Sequence, residues 1–332
     1  MKIKKVNNVL SIPDEWNNLA DCYYQRKQFL LHTQNWNPCN QRYYLAFENN
    51  RLVAGAIVYT LKLDLFTFAK MKFPIKMKIT GVPCSVSCPG LIGATHNALK
   101  LYEYICSVER GLNLALNLKN TTGISRSMIV GNTLPLIIMK RSFADWDDYL
   151  NSLRADYRRR VHLIEEKSCE LKFSNTSCYE FTEEMYDQYI QVYERSNAKL
   201  EFLDFKFFKY LPNNFCLTKV TVKNDLVGWF ITLKADSRIY FFFGGLEYSL
   251  NEQYAIYLRA LIEIIRQGVD QGVNSIDLGQ TAEIPKMRLG GENNPLYLIS
   301  FHKNYPVRFL LHSSIKYIEY KNKFTNHHVF KD

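Results

Sequence analysis

No stretch of this sequence reaches the ~18 consecutive apolar residues that a membrane-spanning helix needs. Its basic start, Met1-Lys-Ile-Lys-Lys-Val-Asn-Asn8, is not followed by the apolar core of a secretory leader. Both absences point to a soluble, cytoplasmic protein with no integral membrane association. Also missing are the Gly-x-Ser-x-Gly elbow, the Gly-x-x-x-x-Gly-Lys-Ser/Thr loop and the His-Glu-x-x-His helix, which argues against a hydrolase. No helix-turn-helix or finger motif supports sequence-specific DNA reading. The eight cysteines are scattered, and only Cys84 and Cys88 lie close together, without a second pair or a matching histidine set. A tetrahedral zinc site needs four such ligands, so no metal is expected. Cysteines set in apolar runs read as reduced thiols. No segment is of low complexity.

What the chain does have is apolar material and positive charge. Hydrophobic residues make up 47% and aromatics 14% of its 332 residues, enough for packed cores in one large domain or two ordinary ones. The balance of 42 Lys+Arg against 32 Asp+Glu gives a net charge of +10. That excess suits anionic partners, and equally suits plain solubility.

The stretch from Arg238 to Gly291 organises the rest. The run 238–243, rich in aromatic and β-branched side chains, predicts a strand, and Gly244-Gly245 predicts its end. Apolar residues at 254, 257, 258, 261, 262, 265 and 269 then fall at helical spacing, with Asn251 as a candidate N-cap and Gly272 as a stop. Ser275-Ile-Asp-Leu-Gly279 reads as a short buried strand. Residues 280–291 read as a turn-rich loop holding Glu283, Lys286 and Arg288. Charged residues and glycines at a strand end suggest a binding site.

Earlier in the chain, 14–31 predicts a helix, 42–48 and 52–59 a hairpin, and 61–92 an irregular region with Lys70, Lys72, Lys76 and Lys78. A helix over 98–110 and strands over 112–118 and 134–139 follow. Residues 143–167 predict one long helix, with Trp146, Tyr149, Leu150, Leu153, Tyr157, Val161 and Ile164 as its buried stripe. Arg154, Arg158, Arg159 and Arg160 project from its middle, either as a solvated face or as a clamp for phosphate or carboxylate. After helices at 182–199 and 205–211 comes a second hairpin, 215–222 with 226–233. Asn50-Arg-Leu-Val53 and Asn224-Asp-Leu-Val227 share Asn-x-Leu-Val, an echo that suggests a duplicated unit. A last strand over 296–301 and a basic tail with His312, His327 and His328 end the chain.

A strand-turn-strand hairpin followed by strand, helix and the Asp277-Leu-Gly279 strand resembles the GNAT fold of N-acetyltransferases. Two such units joined by an arginine-rich helix resemble the Fem-type aminoacyl transferases and related tandem acetyltransferase-like proteins. The resemblance rests on Gly244-Gly245, Tyr254 with Tyr257, Gly272, Asp277-Leu-Gly279, the loop Lys286-Met-Arg-Leu-Gly290 and Tyr157-Arg158-Arg159. It implies an α/β protein with two GNAT-like domains in tandem, each a mixed, mainly antiparallel sheet flanked by helices. The expected division is 1–150, a linking arginine-rich helix over 151–175, and 176–332. Ordinary relatives cradle the pyrophosphate of coenzyme A in a glycine loop that opens the helix after the fourth strand. Here that position reads Glu247-Tyr-Ser-Leu-Asn-Glu-Gln253, without glycine. Fem-type enzymes also lack the loop, because their donor is an aminoacyl-tRNA.

The function implied is N-acyl transfer to a small-molecule or peptide amine, from a donor co-substrate that is either acyl-coenzyme A or aminoacyl-tRNA, with no permanently bound cofactor. A non-catalytic RNA- or partner-binding protein of the same fold is the alternative. Such transfer needs a deprotonated amine, a stabilised oxyanion and two substrates held close. Asp277 is a candidate base, or else a cap for the next turn. Glu247 and Glu283 are base candidates by position. Tyr254 belongs to the apolar stripe, with a hydroxyl able to reach a cleft. Lys286 and Arg288 can bind phosphate or carboxylate, or can be ordinary charges on a surface loop. Gly244, Gly245, Arg158 and Arg159 complete the substrate-binding set, and His302 reads as structural.

Overall fold

The computed structural model describes residues 1–64, 74–84, 86–196, 199, 201–321, 325 and 327–331. The chain opens with β1 (Lys2–Val6), a single turn α1 (Trp16–Leu19), a 3-10 turn at Tyr23–Gln25 and α2 (Lys27–Trp36). The one helix expected over 14–31 is thus three short pieces, since Ala20, Cys22 and Arg26 all take extended backbone. Next come β2 (Arg42–Glu48), β3 (Arg51–Asp64), β4 (Pro74–Thr80), β5 (Leu91–Gly93), α3 (Thr95–Val108), β6 (Leu112–Leu118) and β7 (Ile129–Met139). Much of the region expected to be irregular is therefore strand, because β3 runs on to pair with β4 from Val58 to Asp64. Lys70 and Lys72 lie outside the described residues.

The arginine-bearing segment forms α4 (Trp146–Ser152) and α5 (Ala155–Lys167) rather than one helix. Leu153 and Arg154 are extended, and the chain end pairs there: Arg154 N donates to Val329 O and Lys331 N to Ser152 O. The expected buried stripe holds across the break, with Tyr149, Leu150, Leu153, Val161 and Ile164 in one core and Trp146 and Tyr157 packed against it. Then follow β8 (Lys172–Ser177), α6 (Glu183–Arg195) capped by Thr182, α7 (Phe205–Lys209), β9 (Phe215–Val222), β10 (Asp225–Ala235), β11 (Arg238–Leu246), α8 (Tyr248–Tyr254), α9 (Ile256–Asp270) and β12 (Ser275–Asp277). The expected loop at 280–291 contains α10 (Glu283–Met287), and β13 (Glu292–Phe301) comes next. Within the basic tail, Tyr305–Ile318 forms α11.

The chain groups into two compact units, neither continuous in sequence. Unit 1 comprises Met1–Leu134, Asn197–Phe207 and Pro295–Asn322; unit 2 comprises Pro135–Ser196, Phe208–Asn294 and Lys323–Asp332. Three successive segments do not describe this arrangement. The arginine-bearing helices lie inside unit 2, and 295–322 belongs to unit 1 because β13 pairs with β6.

Both units repeat one strand plan. In unit 1, β1, β2, β3 and β4 are antiparallel neighbours, β6 runs parallel to β4, and β13 is antiparallel to β6. In unit 2, β8, β9, β10 and β11 are antiparallel neighbours, β12 runs parallel to β11, and β7 is antiparallel to β12. Each unit thus takes its last strand from the other half of the sequence. A helix links the parallel strands in each case, α3 in one and α9 in the other, as a parallel crossover requires.

The short sequence echo falls on one local structure. Glu48 pairs with Arg51 around Asn49-Asn50, and Val222 pairs with Asp225 around Lys223-Asn224. All four turn residues have positive φ, as the twist of a two-residue hairpin demands. Three residues beyond each Asn the register shifts, leaving Val53 and Val227 as the extra residue of a bulge.

The core of unit 2 is led by α9, where Leu261, Ile262, Ile264 and Ile265 are fully buried. Each such side chain contributes ~1.5–3 kcal/mol by leaving water. Unit 1 centres on Ala54, Ala56, Val58, Leu101, Tyr102 and Ile105. There Cys22 is disulfide-bonded to Cys88, a correction to the expectation of reduced thiols, while the other six cysteines are free. The two partners are 66 residues apart in sequence, so spacing gave no sign of them. Among the described residues no helix is long and apolar enough to cross a membrane.

Candidate active site

The site lies in unit 2, where two parallel strands part. β11 and β12 pair over only three positions, Arg238 with Ser275, Ile239 with Ile276 and Tyr240 with Asp277. Beyond Tyr240, β11 continues to Leu246 against β10, whereas the other chain stays with β7 through Leu278 N to Ile137 O and Ile137 N to Gly279 O. The carboxyl ends of parallel strands leave such an opening, and open α/β sheets bind ligands there.

Gly244-Gly245 does not end β11. Both residues sit inside the strand, opposite Phe230 and Trp229. A Cβ on Gly245 would come 2.5 Å from the Trp229 indole nitrogen, which donates to Met185 O. The missing side chain is needed for that indole.

The turn that follows Asp277 is strained. Gly279, Thr281 and Ala282 all have positive φ, and each non-glycine residue held there costs on the order of 1–2 kcal/mol. The turn is held by hydrogen bonds from below. Asp277 Oδ1 accepts from Gly279 N at 2.9 Å, so the capping reading of this carboxylate holds. Lys286 Nζ donates to Gln280 O at 2.7 Å.

Lys286 is only 2% exposed, not a charge on a surface loop. Burial pushes its ammonium down to about 7, against the opposing pull of Asp277 and Glu283. Its Nζ lies 5.7 Å from the centroid of the Phe241 ring. Burial also raises Asp277 to about 6, opposed by the Gly279 N–H, Arg238 and Lys286. Glu283, at the first position of α10, is buried and adds its charge to the field at Lys286 and at Tyr257, whose phenol is pushed up mainly by burial. A buried carboxyl and a buried amine with perturbed pKa values at a strand end can hold and move protons near neutral pH.

The other expected residues divide. Tyr254 ends α8, half-buried against the core, and the helical stripe is interrupted after it by Ala255 in a left-handed conformation. Asn251 still serves the second helix, accepting from Tyr257 N at 3.0 Å, and Gly272 with positive φ follows its end. Glu247 caps α8, its Oε1 accepting from Ser249 N and Oγ. Arg288 is half-buried just after α10 and, with Arg160, depresses His327, whose lowering comes first from burial. His327 Nδ1 in turn lies 3.5 Å from the Tyr157 hydroxyl. Arg158 is half-buried and Arg159 exposed on the same helix. Two groupings result: Asp277, Glu283 and Lys286 under the strained turn, and Arg160, Arg288, Tyr157 and His327 beside α5. Phe241 and Gln280 were not singled out from sequence, and His327 was noted only as part of the basic tail. The aromatic run gave no sign of which ring would face the amine, and Gln280 acts through its backbone.

No family model matches the sequence, and no curated protein matches it. Among solved structures, FemX resembles the chain with a TM-score of 0.53 at 12% identity, over 93% of this chain and all of that one. The tandem GNAT protein of the clavulanic acid biosynthesis pathway, solved without AcCoA, gives 0.52 at 8% identity, over 90% and 98%. L-PGS from Bacillus licheniformis gives 0.51 at 10% identity, over 89% and 94%. The chain therefore resembles tandem GNAT-fold and Fem-type proteins in fold along nearly its whole length.

Proposed function

We propose that this chain is an N-acyltransferase of Fem-like type, with its two units as GNAT-like domains in tandem and with aminoacyl-tRNA as the donor. The observation that carries the reading is the buried pair Asp277 and Lys286 at the parting of β11 and β12, with pKa values drawn to about 6 and about 7. The acceptor enters as an ammonium and gives a proton to the Asp277 carboxylate. Its freed lone pair attacks the acyl carbonyl carbon, and the ester C–O bond to the donor breaks. The leaving oxygen then takes a proton from the Lys286 ammonium, and the neutral Lys286 amine takes the second proton from the attacking nitrogen, which leaves a neutral amide and restores the ammonium. An ammonium has three donors, and Lys286 directs one of them to Gln280 O, which orients the rest. Glu283 helps keep Lys286 charged. Gly244 and Tyr254 shape the cleft wall, while Arg158, Arg159 and Arg288 receive donor phosphates.

The start of α8 supports tRNA over coenzyme A. A pyrophosphate grip needs free backbone amides after the fourth strand. Here Glu247 N donates to Val227 O, Ser249 N to Glu247 Oε1 and Leu250 N to Glu247 O. The test is a titration of charged tRNA and of acetyl-coenzyme A at ~50 and ~200 mM salt. Binding through several phosphates should fall by orders of magnitude over that range, whereas a ligand with few phosphates should lose far less. Tight coenzyme A binding with no tRNA affinity at low salt would overturn the choice of donor. Binding of neither, with no transfer to any amine, would overturn the enzyme.

A further inference from the structure

We infer that α11 is a docking element for an anionic lipid surface. Its outward face carries Tyr305 at 67%, Phe309 at 63%, Leu310 at 64% and Tyr317 at 55% exposed. One exposed aromatic is ordinary, but four large side chains on one helix are not. Residues 302–318 contain no Asp or Glu, yet include Lys303, Arg308 and Lys316. The cations sit among the rings. Arg308 lies 5.4 Å from the centroid of Tyr305 and 5.6 Å from that of Phe301, and Lys316 lies 5.0 Å from that of Tyr317.

The inner face fixes the helix in place. Leu311 and Ile315 pack with Tyr59, Met77, Ile79, Leu112 and Ile129. A Cβ on Gly131 would lie 2.8 Å from Ile315 Cδ1, so the Ile315 side chain rests directly on the strand at this glycine. Asn132 donates from both its backbone and side-chain nitrogens to Glu319 Oε2, and Tyr320 N donates to Asn132 O. Asn304 caps the first turn by accepting from Val307 N.

Aromatic and aliphatic groups mixed with Lys and Arg, free of acids, match the boundary between lipid headgroups and acyl chains. The helix has 14 residues, too few to span a bilayer, so it would lie along the surface. A protein partner would need a complementary acidic, apolar groove, and the intermixing of cations with rings favours the lipid boundary instead.

The experiment is co-sedimentation of the full chain with vesicles of phosphatidylcholine alone and of equimolar phosphatidylcholine and phosphatidylglycerol. Binding should require phosphatidylglycerol. The pair Phe309→Ser with Leu310→Ser should weaken it at least about tenfold, and Lys316→Gln about fivefold. Lys316→Glu, a single exposed change, should weaken it further and guards against misfolding of the double variant, with the melting temperature as the control. Equal binding to both vesicles, no binding to either, or unaltered binding by all variants would overturn the inference. So would a wild-type dimer that ignores vesicles and becomes monomeric in the double variant, which would assign the face to a second copy.

Discussion

Lys286 donates its ammonium to the carbonyl of Gln280 at 2.7 Å, tying α10 back across the strained residues Thr281 and Ala282. The same nitrogen is the proposed proton donor. Lys286→Met keeps the length of the side chain and removes the charge. Turnover should fall about 100-fold or more, the usual loss when one preorganised donor to a developing charge is removed. Stability should change by no more than about 1–2 kcal/mol, because losing the hydrogen bond is offset by no longer burying an ammonium. Transfer rates and urea midpoints of the two proteins check this. Unaltered turnover would take Lys286 out of the site.

Gly245 gives the opposite pattern. Its added Cβ would meet Trp229 Nε1 at 2.5 Å and Gln188 Cβ at 3.0 Å, in a packed part of the sheet. Gly245→Ala should destabilise the chain by about 1–3 kcal/mol, the usual cost of overpacking. The specific activity of the folded fraction should stay near wild type. A loss of activity at unchanged stability would show that Gly245 is needed by a ligand.

The turn at Lys223-Asn224 carries a lysine at φ +50°. Left-handed backbone costs a non-glycine residue ~1–2 kcal/mol and glycine almost nothing. Lys223→Gly should therefore raise stability by up to about 1 kcal/mol. Asn50→Ala and Asn224→Ala should each lower it by about 1 kcal/mol, since Asn tolerates this conformation better than Ala. Denaturation of the three variants decides the matter, and a destabilised Lys223→Gly would count against the turn geometry.

That turn was legible in the sequence because it is local. Asn-x-Leu-Val carries the turn and the bulge within four residues. The α9 stripe, the arginine helix stripe and the Asp277 strand were legible for the same reason. What failed depends on distant chain. Helix 143–167 breaks at Leu153 because Val329 and Phe330 pair there. Gly244-Gly245 looked like a stop because nothing nearby announced that the Trp229 indole needed the space. Lys286 looked exposed because its loop is polar, whereas its ammonium is buried beside the Phe241 ring of β11 and the carbonyl of Gln280, beyond the end of β12. The division into units failed most widely, since each unit borrows its last strand from the other half.

The buried pair also sets how stability depends on pH. Asp277 is raised from 3.8 to about 6, so between those values the folded chain holds a proton that the unfolded chain has released, and stability falls as pH rises. Lys286 is lowered from 10.5 to about 7, so between those values the unfolded chain holds the extra proton, and stability rises with pH. The pair's contribution is weakest near pH 6–7, where both groups are charged together. Urea midpoints of wild type minus those of Asp277→Asn with Lys286→Met should trace that trough. A flat difference would mean that the two groups are not desolvated by folding.

Activity should depend on the same two groups in the opposite sense. The proposed reaction uses Asp277 without its proton and Lys286 with it, so kcat/KM should rise as pH passes about 6 and decline above about 7. The limbs belong to the coupled pair rather than to either residue alone. Lys286→Arg separates them, because a guanidinium keeps its charge throughout this range. The variant will be slower, since the larger fork must fit a buried site, but the shape of its profile is the readout. Its basic limb should disappear, and its acidic limb should remain, shifted by the altered neighbour. A basic limb still near pH 7 in Lys286→Arg would assign that proton to another group and remove Lys286 as the donor.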